Sequence, residues 1–181
     1  LMVGDASSTT YSGVMKNVAN AGAGGLTTGV GRVIKTGSGT LTLTGNNTYT
    51  GSLTVSNGAV TVAAGGILSD PTADIVLHGG ALNLDNAAQT ILSLTGNGGA
   101  LNLGSGHMLT VNPGNTRTNA GTIGGAGALN KTGTGTLVLS GNNTYGGGTT
   151  IAAGGIRVAN SSGSATGSGD VTVEGGGSLR G

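Results

Sequence analysis

The chain has 181 residues, of which 41 are glycine, while charged residues make up 7% and aromatic residues 2%. Its net charge of +1 comes from scattered basic residues, so it has no patch of the kind that binds nucleic acid or an anionic membrane. The low charge and the 35% hydrophobic content argue against a charged disordered segment, and no run approaches the ~18 apolar residues of a membrane span.

Apolar and polar residues alternate in short runs along the chain, which is typical of strands that bury one face. In chain order the runs are 41–43, 53–55, 60–62, 75–77, 82–84, 92–94, 101–103, 109–111, 137–139, 156–158 and 171–173. Nearly every run supplies two inward aliphatic residues. Residues 70–72 and 112–114 contain proline and are predicted to be loops. The best helix-forming stretch, 86–89, is too short to be stable alone. No domain boundary is evident, so residues 1–181 are predicted to form a single unit.

One stretch of sequence occurs twice. Residues 29–63 return at 125–159, and about nineteen of the thirty-five aligned positions are identical. A long internal repeat made of short strands predicts a solenoid. Asn57-Gly58 and Asn97-Gly98 would suit hairpin turns, but most breaks are Gly-Gly or Gly-x-Gly at matched places in the two copies. We therefore predict an all-β parallel β-helix, with about nine turns at ~20 residues each.

The cores of the two copies, KTGSGTLTLTGNNTYTG (35–51) and KTGTGTLVLSGNNTYGG (131–147), resemble the autotransporter-associated β-strand repeat, also called the passenger-associated transport repeat. Leu129 fits the leading position of that pattern, and Val33 replaces it in the first copy. The resemblance implies a right-handed parallel β-helix, or β-solenoid, from the passenger of a Gram-negative type V secretion system. It also implies an extracellular or cell-surface location, and a role in transport through progressive folding outside the cell.

The residues of the repeat also have physical interpretations of their own. Glycines are expected at the corners of the coil, and the asparagine pairs 46–47 and 142–143 are expected to bond neighbouring backbone or to form ladders. Tyr49 and Tyr145 are predicted to cover a corner of the core with their hydroxyls toward water. Lys35 and Lys131 are predicted to lie on the outer face with solvated ammonium groups.

Residues with catalytic or metal-binding chemistry are sparse, and we predict no catalytic, cofactor or metal site. Asp70 and Asp74 flank a proline and are interpreted as turn residues. His78 and His107 are interpreted as outer residues rather than metal ligands. The Gly-x-Gly segments lack both the further glycine and the following helix that a phosphate site needs.

Three functions remain open from the sequence. The leading one is a structural stalk and adhesin scaffold, which associates with itself through its ends or faces and contacts glycans or proteins of a host or neighbouring cell. The second is a repetitive surface that binds glycan or ice through outward threonines such as Thr40, Thr42 and Thr44. The third is a glycan-cleaving enzyme, which would need a groove that gathers Asp85, His78 or Arg117.

Overall fold

The computed structural model of the chain describes residues 1–17, 30–63, 65–85 and 88–181, and within these ranges it is all β, with no helix. Gly29, at the start of the first repeat copy, and residues 86–87 of the short helix-forming stretch lie outside the described residues. Gln89, from the same stretch, begins a strand.

Most of the strands are two to four residues long, as the short alternating runs predict. They are β1 (Met2–Val3), β2 (Thr9–Tyr11), β3 (Val33–Lys35), β4 (Thr40–Leu43), β5 (Leu53–Val55), β6 (Ala59–Val62), β7 (Asp74–Leu77), β8 (Ala81–Leu84), β9 (Gln89–Ile91), β10 (Ser93–Thr95), β11 (Ala100–Leu103), β12 (Met108–Val111), β13 (Arg117–Asn119), β14 (Thr122–Gly125), β15 (Ala128–Lys131), β16 (Thr136–Leu139), β17 (Thr149–Val158) and β18 (Val171–Arg180).

All pairing between these strands is parallel, and from β1 to β16 consecutive strands lie on different faces of a coil with three faces. Face 1 contains β1, β3, β5, β7 and β10 in that order. It continues through an isolated bridge between Gly96 and Asn119 to β13, β16 and the second halves of β17 and β18. Face 2 contains β2, β4, β6, β8, β11 and β14. Face 3 contains β9, β12, β15 and the first halves of β17 and β18. The β-solenoid prediction is confirmed, and the hairpin alternative is wrong.

The register between stacked strands gives the length of each turn. It advances by 19 residues from Leu41 to Val60 (60 − 41) and by 23 from Ile156 to Leu179 (179 − 156). Along face 1 the path from Val33 to Leu179 completes seven turns. This is close to the nine turns predicted for the full length, and β1 and β2 stack on the first of the seven.

The core is a set of aliphatic rows that run along the coil axis. On face 2, residues in register form one row of fully buried side chains: Leu41, Val60, Leu82, Leu101 and Ile123. Each buried side chain of this size contributes about 1.5–3 kcal/mol. Because each turn covers the row of the turn before it, stability comes from the stack and not from any single turn.

The two ends of the coil leave part of this row structure uncovered. On β18 the side chains of Val171, Val173 and Leu179 are exposed, and at the opposite end those of Leu1 and Met2 are exposed. Strand β18 pairs with β17.

Candidate functional site: buried polar side chains of the repeat

The two acidic residues beside Pro71 are held by local hydrogen bonds. The Asp70 carboxylate accepts from the backbone N–H of Thr72 at 2.9 Å and from its hydroxyl at 2.6 Å, and these bonds lower the pKa of Asp70. Asp74 accepts a short hydrogen bond from the hydroxyl of Ser93 one turn later. The interpretation of Asp70 as a turn residue is confirmed, but that of Asp74 is wrong, because Asp74 begins β7 and bonds to the next turn of the coil.

The other candidates for chemistry are spread over the coil. His78 hydrogen-bonds Asn97 through Nδ1 at 2.8 Å on the exposed surface, as expected of an outer residue. Arg117 donates to the backbone oxygen of Thr116 at 3.3 Å. Asp85 directly follows β8, on another face. Among the described residues no group of three His, Cys, Asp or Glu side chains is placed to hold a metal ion, and no helix is long and apolar enough to cross a membrane.

Among the described residues, five of the nine buried polar or charged side chains lie in the two repeat copies. Asn47 and Asn143 occupy equivalent positions and are 1% and 2% exposed. Asn47 Oδ1 accepts from the N–H of Met15 at 2.9 Å, while its Nδ2 donates to the carbonyl of Ile67 at 2.8 Å. One side chain therefore joins the turn before it to the turn after it.

The second copy repeats this arrangement. Asn143 Oδ1 accepts from the N–H of Ile123 at 2.8 Å, and its Nδ2 donates to the carbonyl of Ala165 at 2.5 Å. The asparagine amides thus supply acceptors to the backbone N–H groups of Met15 and Ile123, as buried polar groups require. The prediction that the asparagine pairs bond neighbouring backbone is confirmed for Asn47 and Asn143.

The repeat tyrosines are buried to their hydroxyl groups, which corrects the prediction that these face water. Tyr49 is 1% exposed and Tyr145 is 0% exposed. The Tyr145 hydroxyl lies 2.5 Å from Thr149 Oγ1, which itself donates to the carbonyl of Thr166 at 3.1 Å. Thr149 has one hydroxyl proton and uses it on Thr166, so Tyr145 is the donor of the shorter bond.

The first copy lacks this partner. Leu53 stands where Thr149 stands in the second copy, and the Tyr49 hydroxyl has no hydrogen-bond partner among the described residues. Burial raises the pKa of Tyr49, and it raises the pKa of Tyr145 to about 12. The two tyrosine hydroxyls therefore differ by one buried hydrogen bond.

The repeat lysines are also buried, contrary to the prediction of solvated ammonium groups. Lys35 and Lys131 are both 0% exposed and are the last residues of β3 and β15. Lys35 Nζ donates to the carbonyl of Gly37. Lys131 Nζ donates to the carbonyls of Thr132, Gly133 at 2.8 Å and Ala153 at 3.2 Å. An aliphatic stem along the core followed by carbonyl acceptors at the corner explains how a lysine is accommodated there.

Outward polar residues form rows along the coil axis as well as along single strands, as Thr40 and Thr42 do on β4. On face 2 the row contains Thr10, Thr42, Thr61, Asn83 and Asn102. It is hydrogen-bonded within itself, from Asn83 to Thr61 at 3.1 Å and from Asn102 to Asn83 at 2.7 Å. On face 3 a second row contains Thr90, Thr110, Asn130, Thr150 and Thr172.

A polar cleft of about 330 Å³ adjoins the end of the face 3 row. It is lined by Thr150 and Thr172 from the row, by the exposed Asp170, and by the glycines at 146–148 and 169. The Oδ1 atom of Asn130, within the same row, has no hydrogen-bond partner among the described residues.

Comparison with known proteins identifies the source of the repeated pattern. The family description "passenger-associated-transport-repeat" matches residues 33–67 and 129–158. Over 56 residues, or 31% of its length, the chain is 43% identical to the adhesin BmaC autotransporter of Brucella suis biovar 1 (strain 1330). The chain covers 2% of the length of that relative. No solved structure matches the chain. The buried asparagine, tyrosine and lysine of each copy all lie within the matched ranges, and the resemblance to passenger-associated transport repeats is confirmed for residues 33–67 and 129–158.

Proposed function

We propose that this segment is a rigid structural part of an autotransporter passenger, displayed at the surface of a Gram-negative bacterium or released from it. It holds an adhesive or enzymatic region away from the cell and adds surface for weak adhesion. Its folding outside the cell favours outward movement of the chain. The family of the two repeats and the identity to an autotransporter adhesin support this assignment.

The observation that carries the proposal is the use of the repeat's buried polar groups. Asn47 and Asn143 each join three consecutive turns through backbone groups. Such hydrogen bonds form only when the neighbouring turns are stacked, and their partners are backbone groups of those turns. The buried asparagines of the repeat therefore hold successive turns together, as expected of a rigid stalk.

The experiment is export and display of the full passenger carrying this segment. Asn47→Ala combined with Asn143→Ala is expected to lower the amount of protease-resistant passenger at the cell surface. The exposed neighbour Asn46 is the matched control, and Asn46→Ala is expected to leave display unchanged. Equal display of all these variants would refute the proposed role of the repeat in folding outside the cell.

Self-association through the coil ends is part of this proposal. The exposed Val171, Val173 and Leu179 lie on a ten-residue strand, and Leu1 and Met2 lie at the other end. In the isolated segment, parallel addition of β1 of one copy to β18 of another would continue the coil, which is a head-to-tail contact. Sedimentation of the isolated segment is expected to show association that Val173→Glu reduces, and a wild-type monomer at high concentration would refute it.

A second candidate function is binding of a hydroxyl-rich ligand, such as a glycan, along face 3. The polar cleft between Thr150, Thr172 and Asp170 favours it, because carboxylate and hydroxyl groups together accept and donate to sugar hydroxyls. Loss of glycan binding in Asp170→Ala, with binding kept in Asp85→Ala, would support this function. Absence of wild-type binding across a glycan panel, together with absence of thermal hysteresis, would exclude both ligands considered for the row.

A further inference from the structure

The lysine of each repeat ends in a pocket made of main-chain oxygen atoms. Each hydrogen bond from Lys131 Nζ ends on a backbone carbonyl, those of Thr132, Gly133 and Ala153. Lys35 Nζ likewise donates to the carbonyl of Gly37, the residue equivalent to Gly133. These oxygens are partial negative charges that point toward one another, so a buried donor with several N–H groups is the species that satisfies them.

A similar arrangement, with one carbonyl acceptor for Lys35 and three for Lys131, occurs at two different corners of the coil. Lys35 ends a strand of face 1, whereas Lys131 ends a strand of face 3. Because the surroundings on the two faces differ, the common geometry comes from the sequence Lys-Thr-Gly-x-Gly itself.

The next turn closes the pocket. A Cβ placed on Gly58 would lie 2.7 Å from Lys35 Nζ and 2.3 Å from the carbonyl oxygen of Gly37. In the second copy, a Cβ on Gly154 would lie 2.4 Å from the carbonyl oxygens of both Gly133 and Gly135. The turn that follows each lysine therefore approaches so closely that only glycine fits, and in the second copy it also supplies the Ala153 acceptor.

We propose that this corner is a binding site for a primary ammonium group, built from backbone carbonyls of two successive turns and filled in this protein by its own lysine, which thereby holds the two turns in register. Burial lowers the pKa of Lys131 to about 8, because the charged ammonium group loses its water on folding. This inference does not depend on the passenger role, because it concerns the stability of the coil alone.

Chemical rescue tests the site. Lys131→Ala removes the atoms of an n-propylammonium ion, and urea unfolding of this variant is expected to occur at a lower midpoint than in the wild type. Added n-propylammonium is expected to restore most of the lost midpoint, whereas n-propanol and tetramethylammonium are not, since the first has no charge and the second has no N–H donor. Lys131→Met, whose longer side chain partly refills the space, is expected to show no rescue. Equal rescue by n-propanol, or no rescue of a folded Lys131→Ala variant, would overturn the proposal.

A second measurement needs no variant and covers the case in which Lys131→Ala does not fold. Acetylation of the folded wild-type protein is expected to modify the exposed Lys16 and to spare Lys35 and Lys131, all three reacting after unfolding in urea. Modification of Lys131 in the folded protein as fast as that of Lys16 would show that the ammonium is not held in the pocket, and would overturn the proposal.

Discussion

Removing the same hydroxyl from the two repeat copies should have opposite effects on stability. Tyr145→Phe deletes a buried hydrogen bond to Thr149, and such a bond contributes about 1 kcal/mol. Thr149 keeps its own acceptor, the carbonyl of Thr166, so no new unsatisfied donor remains. Tyr49→Phe instead removes a buried hydroxyl that has no partner among the described residues, which relieves a desolvation cost of about 1 kcal/mol or more.

The two variants should therefore differ from each other by about 2 kcal/mol. For a chain of this length that corresponds to roughly 4–8 °C between their thermal midpoints. The measurement is thermal and urea unfolding of both variants and the wild type, followed by circular dichroism at the strand signal. Because stacked turns can unfold in more than one step, transitions should be compared at two wavelengths before free energies are derived.

A reciprocal change tests the cause. Leu53→Thr places a hydroxyl where Thr149 stands in the other copy, and in this background Tyr49→Phe is expected to become destabilising. The coupling energy from the double-mutant cycle isolates the new hydrogen bond from the lost burial of Leu53. If Tyr49→Phe destabilises the wild-type protein as much as Tyr145→Phe does, the assignment of the partnerless hydroxyl is wrong.

Two further predictions concern pH and the corner glycines. The pKa of Lys131 falls from 10.5 to about 8 on folding, so between these pH values the unfolded chain binds more protons than the folded chain. The urea midpoint should therefore rise with pH across this range. Lys131→Met should remove the rise. The pKa of Tyr145 rises from 10.0 to about 12 on folding, so the unfolded chain loses this proton first and the urea midpoint should fall between pH 10 and 12. The fall should be smaller in Tyr145→Phe. A urea midpoint of the wild type that does not change with pH would contradict both pKa shifts. Gly154→Ala should destabilise the protein by more than about 2 kcal/mol, because Gly154 has a φ of +65° and two carbonyl oxygens would lie 2.4 Å from an added Cβ. Gly106→Ala should cost about 1 kcal/mol, since Gly106 has a φ of +74° but open space around it. Gly114 has neither constraint, so Gly114→Ala should have almost no effect. Equal midpoints for these three alanine variants would show that the close approach of successive turns is not a constraint.

The strands and the repeat were accessible from the sequence because both are local. Alternation of Leu41 and Leu43 with threonine places those two side chains inside wherever the strand lies. The asparagines of the turn were also interpreted correctly, since their backbone-bonding tendency is intrinsic to the residue. The absence of a catalytic or metal site stays a prediction.

The lysines and tyrosines were misplaced because their environment is not local. The following turn supplies the carbonyl of Ala153 to Lys131, and Thr149 at the beginning of the next strand supplies a partner to Tyr145. A general preference of lysine for solvent outweighed the one available signal, which is that the lysine returns in both copies ahead of the same pair of glycines. The difference between Leu53 and Thr149 was visible in the alignment of the copies, but its meaning required the position of the tyrosine hydroxyl.

The second repeat begins four turns and two faces after the first, on face 3 instead of face 1. Equivalent outward side chains of the two copies therefore point in directions that differ by a third of a rotation about the long axis. A fibre assembled from such units would show the same chemistry on several sides, so a neighbouring cell approaching from any direction would meet a similar surface. The two copies would therefore not bind one flat target at the same time. They would be better placed to bind separate targets on different sides of the fibre.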